Sequence, residues 1–512
     1  MRKNKLRSLY FIVPLFIFYI IIIFRVSSLT FEHQETSESL EKSNIAHKQP
    51  DILDRNGVVI ATNVPTTSLY VNPIKIKDPK SIAEQLCYIF YDLKYEKLYK
   101  LLTSRRKFVW IKRHLTPKEL LAIKNTGVPG INFYDDVKRI YPYSNLFAHV
   151  LGYTDVDGNG IAGMEAYISR KQEREPVKLS LDLRVQGVVH DELTKVIDKY
   201  NALGGVGIVL NVKNSEVISM VSLPDFNPNM MSKATGMQKF NRSTLGVYEM
   251  GSVLKFFTMA AAIDAKAVTI NSIYDVSQPI IIGKYKIYDF HKSEAAKITV
   301  QDIFVRSSNI GAAKIALDLG IEKQVEYFRA MKFFSPLKIE VPEKSSPIVP
   351  NKWRESTLIT ASYGYGIALT PMHILQAAAA LVNDGIFHDA TLIQNKKSIG
   401  EQIITSKTSS EIIKLLRKAV THGTGRRANI KAYSVGGKTG SAEKVVNGQY
   451  NKNRNIVSFI GLPTTLDPKY IILITIDDPQ GLQSHTGGII AAPAVRNIIN
   501  RIVSILNIAP EM

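Results

Sequence analysis

Residues 205–223 read GVGIVLNVKNSEVISMVSL. Two apolar runs rich in β-branched residues flank Lys213-Asn214-Ser215, a spacing that predicts a β-hairpin. Downstream, helix-like segments span Leu254 to Ala267, Val300 to Leu319 and Pro371 to Asn383, and β-rich runs return at Asn455 to Leu462 and Tyr470 to Asp477. Strands first, helices in the middle and strands last predict an antiparallel sheet covered by helices, an α+β fold. This domain is expected over residues 200–506.

Upstream, residues 51–178 alternate short β-like runs (Val58-Val59-Ile60, Ser68-Leu69-Tyr70-Val71) with a helical stretch near Ser81 to Leu102. They predict a β-rich, elongated second module with no catalytic cluster. A chain of 512 residues, 45% hydrophobic, can fill more than one core. Residues 31–50 (FEHQETSESLEKSNIAHKQP) lack apolar periodicity, and a linker is placed at 30–50. Leu9 to Phe24 is an apolar run of roughly 24 Å as a helix; with Arg25 snorkelling and Val26 to Leu29 completing it, 9–29 reads as a single transmembrane anchor. The competing reading, a cleaved signal peptide, lacks the small-residue cleavage pattern. Arg2, Lys3, Lys5 and Arg7 precede the span and glutamates follow it, so residues 1–8 form a cytoplasmic tail and the rest lies outside.

The formal charge of +20 is spread along the chain with no nucleic-acid module, so no nucleic-acid partner is expected; a cationic surface can instead meet anionic lipid or wall polymer. A lone cysteine, Cys87, excludes an internal disulfide and a cysteine-based zinc site. Asp155 to Gly160 begins like a calcium loop, yet its twelfth position is Ala166, and a glycine-rich turn is the better reading. Gly436-Gly437-Lys438-Thr439 lacks the first glycine of a phosphate loop. Neither metal nor cofactor is expected.

The chemistry rests on three short segments. Ser252-Val253-Leu254-Lys255 sets a hydroxyl and an amine on one face of a first helical turn, where a lysine with a lowered pKa can take the serine proton. Other Ser-x-x-Lys pairs occur here, among them Ser335/Lys338 and Ser441/Lys444, so the spacing alone is weak. Ser307-Ser308-Asn309 interrupts a helical region and offers a second hydroxyl and an amide. Lys438, Thr439, Gly440 and Ser441 read as an edge-strand binding site, in which Lys438 and the Thr439 hydroxyl meet a peptide's terminal carboxylate, glycines let the substrate backbone approach, and the N–H groups of Ser441 and Ser252 form an oxyanion hole.

Ser-x-x-Lys, Ser-x-Asn and Lys-Thr-Gly in this order form the triple of penicillin-recognising serine enzymes. The chain resembles a class B penicillin-binding protein of the division-specific, FtsI-like type over nearly its whole length. Asp54-Arg55-Asn56-Gly57, Arg139-Ile140-Tyr141-Pro142 and His149 through Glu165 are similar to the family's non-catalytic pedestal; Tyr248-Glu249-Met250-Gly251, Tyr363-Gly364-Tyr365-Gly366 and Gly440-Ser441-Ala442-Glu443 are similar to its transpeptidase module. Gln49-Pro50 departs from the usual Arg-Gly, Met250 from proline and Ser441 from threonine. The resemblance implies a peptidoglycan D,D-transpeptidase at the inner (plasma) membrane, with Ser252, Lys255, Ser307 and Asn309 catalytic and Lys438, Thr439, Gly440 and Ser441 binding substrate. It also implies stem peptides ending in D-alanyl-D-alanine as substrate, β-lactams as inhibitors, and an FtsW-type glycan polymerase and other division proteins as partners in septal synthesis. An elongation-specific transpeptidase, a β-lactamase or D,D-carboxypeptidase, and a penicillin-sensing receptor or inactive scaffold remain as alternatives.

Overall fold

The computed structural model describes residues 17–25, 27, 49–283, 285–290, 295–481 and 486–511. Of the expected anchor, 17–25 and 27 are helical with exposed apolar side chains. No helix among the described residues is long and apolar enough to cross a membrane. The tail 1–8, the rest of the span and nearly all of the linker lie outside the described residues.

In the N-terminal module β1 (Ile52–Leu53) pairs antiparallel with β2 (Val59–Val71). Asp54 makes the turn between them: its buried Oδ1 accepts the N–H groups of Asn56 and Val58 at 2.8 and 2.9 Å. The two β-like runs foreseen here are one strand, because β4 (Ile131–Ile140) pairs with it continuously from Thr62 to Val71. Pro65 is tolerated because β3 (Val109–Leu115) joins the other edge only from Thr67 onward, where no proline N–H is missing. The helical stretch foreseen from Ser81 to Leu102 is two helices, α1 (Pro79–Ile89) and α2 (Tyr95–Leu102). A straight helix of that length would run roughly 33 Å past its sheet. Folding back instead lets Ile82, Leu86, Phe90, Leu98 and Leu102 close one small core with Leu69, Val71 and Ile111. α3 (Pro117–Thr126), held by a Thr116/Glu119 capping box, completes this lobe. Asp155 accepts the N–H groups of Asp157 and Asn159, so the glycine-rich segment is a side-chain-closed turn.

β5 (Val177–Lys178) runs parallel to β1 and leads into α4 (Leu183–Lys199), a segment assigned to neither module from sequence, which packs on the second sheet. The foreseen hairpin is β6 (Gly204–Asn211) and β7 (Val217–Leu223). Between it and the closing strands come α5 (Leu254–Asp264), α6 (Val300–Arg306), α7 (Asn309–Leu319), α8 (Pro371–Leu381) and α9 (Ser406–Thr421). The sheet is completed by β8 (Gly436–Val446), β9 (Gln449–Leu462) and β10 (Tyr470–Asp477), followed by α10 (Ala491–Ile502). Its order is β8-β9-β10-β6-β7, antiparallel throughout, with β8 at an edge.

Helices cover both faces, which is why β6, β7 and β10 are near-continuous apolar runs. Val209, Ile472, Ile474 and Ile476 point to the α4/α10 face, and Val206, Ile208, Leu210, Ile471 and Leu473 point to the α5/α8 face. α5 and α8 are buried on nearly all sides, as expected of helices that are mostly apolar, and they carry the polar Lys255, Thr258, His373 and Gln376 inside with them. The α5/α8 core continues into the N-terminal module through Ile52, Ile60, Leu151, Met164 and Ile168. The buried Arg139–Glu165 pair at 2.7 Å braces that junction, and Glu343 of the C-terminal module accepts the Gly163 N–H at 3.1 Å.

Candidate active site

Ser252 lies in a 3-10 turn (Gly251–Val253) that runs directly into α5, so Lys255 follows on the same face. Lys255 Nζ is 2.7 Å from Ser252 Oγ. The amine is also 2.9 Å from the Ser307 carbonyl and 2.7 Å from Asn309 Oδ1. Asn309 Nδ2 donates to the Tyr288 carbonyl at 3.0 Å, which fixes the amide with its oxygen toward the lysine. Carbonyl oxygens only accept. They therefore take the two N–H groups of a neutral amine and leave its lone pair for the serine proton.

Lys255 is 0% exposed. Burial, and then the charge of Lys438, hold its pKa well below the usual lysine range, against an opposing pull from Asp289. Lys438 is equally buried and is brought down to about 7 by desolvation. Its Nζ donates to Ser307 Oγ at 2.9 Å, and that same oxygen is 3.2 Å from Lys255 Nζ. One hydroxyl thus connects two amines that a dry site disfavours charging together.

Ser307 ends α6 in a left-handed conformation (φ 64°), and Ser308 caps α7 by accepting the Gly311 N–H at 2.9 Å. The Asp289 carboxylate holds this break open: it accepts Ser308 Oγ at 2.7 Å and the N–H groups of Asn309 and Ile310 at 2.5 and 3.0 Å. β8 brings in the third segment. A Cβ on Gly440 would lie 2.6 Å from the Met250 carbonyl, so glycine here lets the strand lie against the turn that carries Ser252. The neighbour demanding the glycine is the protein's own backbone rather than a substrate.

A cleft of about 770 Å³ opens over these groups, lined by Ser252, Ser307, Asn309, Thr439 and Ser441. The Thr439 hydroxyl lies 2.7 Å from that of Thr424, and Ser441 Oγ accepts the Gly487 N–H at 3.0 Å. Lys438 differs from the sequence reading: its ammonium group sits behind the cleft on Ser307, where no carboxylate can touch it directly. Of the competing Ser-x-x-Lys pairs, Lys338 is paired with Asp389 and Lys444 with Asp477 instead of their serines. Sequence reasoning missed Asp289 and Thr424, which stand far from the motifs along the chain and carry no local pattern.

Two family models match the chain. The penicillin binding protein transpeptidase domain covers residues 205–500, and the penicillin-binding protein dimerisation domain covers residues 50–173. The chain is 34% identical over 480 residues to a Caulobacter vibrioides protein named "Probable peptidoglycan D,D-transpeptidase FtsI", covering 90% of this chain and 81% of that one. It is 29% identical to "Stage V sporulation protein D" of Bacillus subtilis, over 100% of this chain and 87% of that protein. A crystal structure of a peptidoglycan synthetase from Bifidobacterium adolescentis shares the fold at a TM-score of 0.71 and 18% identity, covering 91% of this chain and 97% of that one.

Proposed function

The chain belongs to the penicillin-binding proteins with a transpeptidase domain, as a class B member of the FtsI-like kind, and from this we propose that it cross-links peptidoglycan stem peptides as a D,D-transpeptidase. The observation that carries the reading is the 2.7 Å approach of the buried, proton-poor Lys255 amine to Ser252 Oγ. Ser252 Oγ attacks the carbonyl of the penultimate D-alanine while its proton passes to Lys255 Nζ. The N–H groups of Ser252 and Ser441 face the developing oxyanion. The C–N bond to the terminal D-alanine then breaks, and the leaving nitrogen takes the proton by way of the Ser307 hydroxyl. An amine of a neighbouring stem attacks the resulting ester and gives its proton to Lys255, which passes it to Ser252 Oγ as the ester C–O bond breaks.

Asn309 orients the base, Thr439 and Ser441 hold the substrate's end, Gly440 shapes the strand they sit on, and Lys438 acts through Ser307. β-Lactams acylate Ser252 because they present a similar carbonyl. We place the chain in the inner (plasma) membrane through a single anchor at 9–29, with the N-terminus cytoplasmic and both modules outside. The basic residues ahead of the apolar run and the exposed apolar helix at 17–25 support this. A septal role beside an FtsW-type polymerase and other division proteins is supported by the FtsI-named relatives.

The test is in-gel labelling by a fluorescent penicillin. The wild-type band should appear in washed membranes and vanish in Ser252→Ala at equal protein level. A chain starting after residue 30 should label in the soluble fraction, and depletion should give filaments rather than rounded cells. Label surviving in Ser252→Ala removes the nucleophile assignment; soluble wild type removes the anchor; rounding of depleted cells removes the septal role.

A further inference from the structure

The turn that carries Ser252 lies against residues 364–369. Tyr248 and Leu369 exchange both backbone hydrogen bonds at 2.9 Å, and the Gly251 N–H donates to the Gly364 carbonyl at 3.2 Å. A Cβ on Gly364, at φ +98°, would lie 1.9 Å from the Gly251 carbonyl, so glycine there lets the two stretches touch one residue before the nucleophile. The Gly366 N–H, between these backbone contacts, goes to a side chain instead. Glu249 Oε1 accepts it at 2.6 Å.

The same oxygen accepts the Tyr450 hydroxyl, at the start of β9, at 3.0 Å. Tyr450 stands edge-on to Tyr365 with ring centres 5.3 Å apart, and the Tyr365 hydroxyl in turn accepts the Glu443 N–H of β8 at 3.3 Å. One carboxyl oxygen thus joins three segments: the nucleophile turn, the stretch that lines the cleft through Tyr363 and Tyr365, and the start of β9. Glu249 itself is not among the residues lining the cleft. Its other oxygen, Oε2, is buried and makes no hydrogen bond among the described residues. Burial pushes the carboxyl pKa up, against the opposing pull of the Gly366 N–H and the Tyr450 hydroxyl. A carboxyl group held in this way, away from the cleft and from any paired cation among the described residues, serves geometry rather than charge.

Acylation is sensitive to small displacements, since misplacing a reacting group by about 1 Å can cost about 10²-fold in rate. We propose that Glu249 is a positioning residue for the acylation step: it holds the 363–366 stretch and the start of β9 against the nucleophile turn, and so fixes where Ser252 Oγ stands relative to β8. The inference rests on the transpeptidase reading above. The role requires an acceptor oxygen at the reach of a glutamate side chain and does not require its negative charge.

The test is stopped-flow acylation of the full-length chain over a range of benzylpenicillin concentrations, which separates the first-order acylation constant from the dissociation constant of the non-covalent complex. Glu249→Ala should lower the first-order constant by about 10- to 100-fold and leave the dissociation constant within about 3-fold of wild type. Glu249→Gln, whose amide oxygen can accept both bonds, should recover to within about 3-fold of wild type. Glu249→Asp, charged but one methylene shorter, should not recover. Tyr450→Phe keeps the ring and removes one of the two bonds; it should slow acylation less than Glu249→Ala does, and add nothing to it in the double variant. If Glu249→Ala does not fold, the glutamine and aspartate variants carry the comparison. An alanine variant as fast as wild type, a glutamine variant no faster than aspartate, a loss confined to the dissociation constant, or Tyr450→Phe slowing wild type and Glu249→Ala by the same factor overturns the role while leaving the transpeptidase reading intact. A wild type that benzylpenicillin does not acylate overturns both.

Discussion

At the residue scale the deciding fact is that two fully buried lysines share one hydroxyl. Lys255 is useful only as a neutral amine, and its depressed pKa makes it neutral above that value and charged below it. Acylation by benzylpenicillin should therefore fall as pH is lowered through the Lys255 pKa. Lys438→Met removes the positive neighbour that helps to depress it, so the Lys255 pKa rises and the acid limb of the rate profile moves to higher pH. Stopped-flow acylation from pH 5 to 9 measures this; a limb that stays in place, or moves to lower pH, removes the coupling between the two amines.

At the scale of elements, the site depends on two interruptions of regular structure. One is the break between α6 and α7, where Ser307 adopts φ 64°. A left-handed conformation costs a residue with a Cβ roughly 1–2 kcal/mol, and glycine avoids that cost. Ser307→Gly and Ser307→Ala both lose the hydroxyl that joins the amines, and both should acylate about 10²- to 10⁴-fold more slowly. Thermal melts should nevertheless place the glycine variant above the alanine variant by about 1 kcal/mol. An alanine variant at least as stable would mean that the turn is not held as described. The other interruption is the pairing shift between Glu443 and Lys444, which leaves the Glu443 N–H facing Tyr365.

For the whole molecule the distribution of apolar contacts matters most. The catalytic core runs without a boundary into the base of the N-terminal module, whereas α1, α2 and α3 close a separate, smaller core at its far end. Opening free energies follow buried apolar contact. Hydrogen exchange by mass spectrometry should accordingly show residues 79–126 exchanging well before 52–62 and before the sheet of β6 to β10. Simultaneous exchange of both regions would mean that the outer lobe is coupled to the catalytic core more tightly than its separate core allows.

Much of this was legible along the chain. The β6/β7 hairpin, the returning strands and the mostly apolar helices at 254 and 371 follow from local periodicity, because burial on one face or on both leaves a repeat of fixed length. The Ser252/Lys255 contact was legible for the same reason: three residues on a helix are neighbours whatever surrounds them. The folding back of α1 on α2 was not, since either a long helix or a pair satisfies the local pattern and only the shared core selects the pair. Nor was the position of Lys438, which strand alternation turns away from the cleft and onto Ser307, or the role of Asp289. The sequence by itself determined the three motifs the site is built around and the order in which the chain delivers them. Only the tertiary structure decided which of them lose their water, and therefore which amine is neutral, because desolvation belongs to the assembled surroundings and to no single segment.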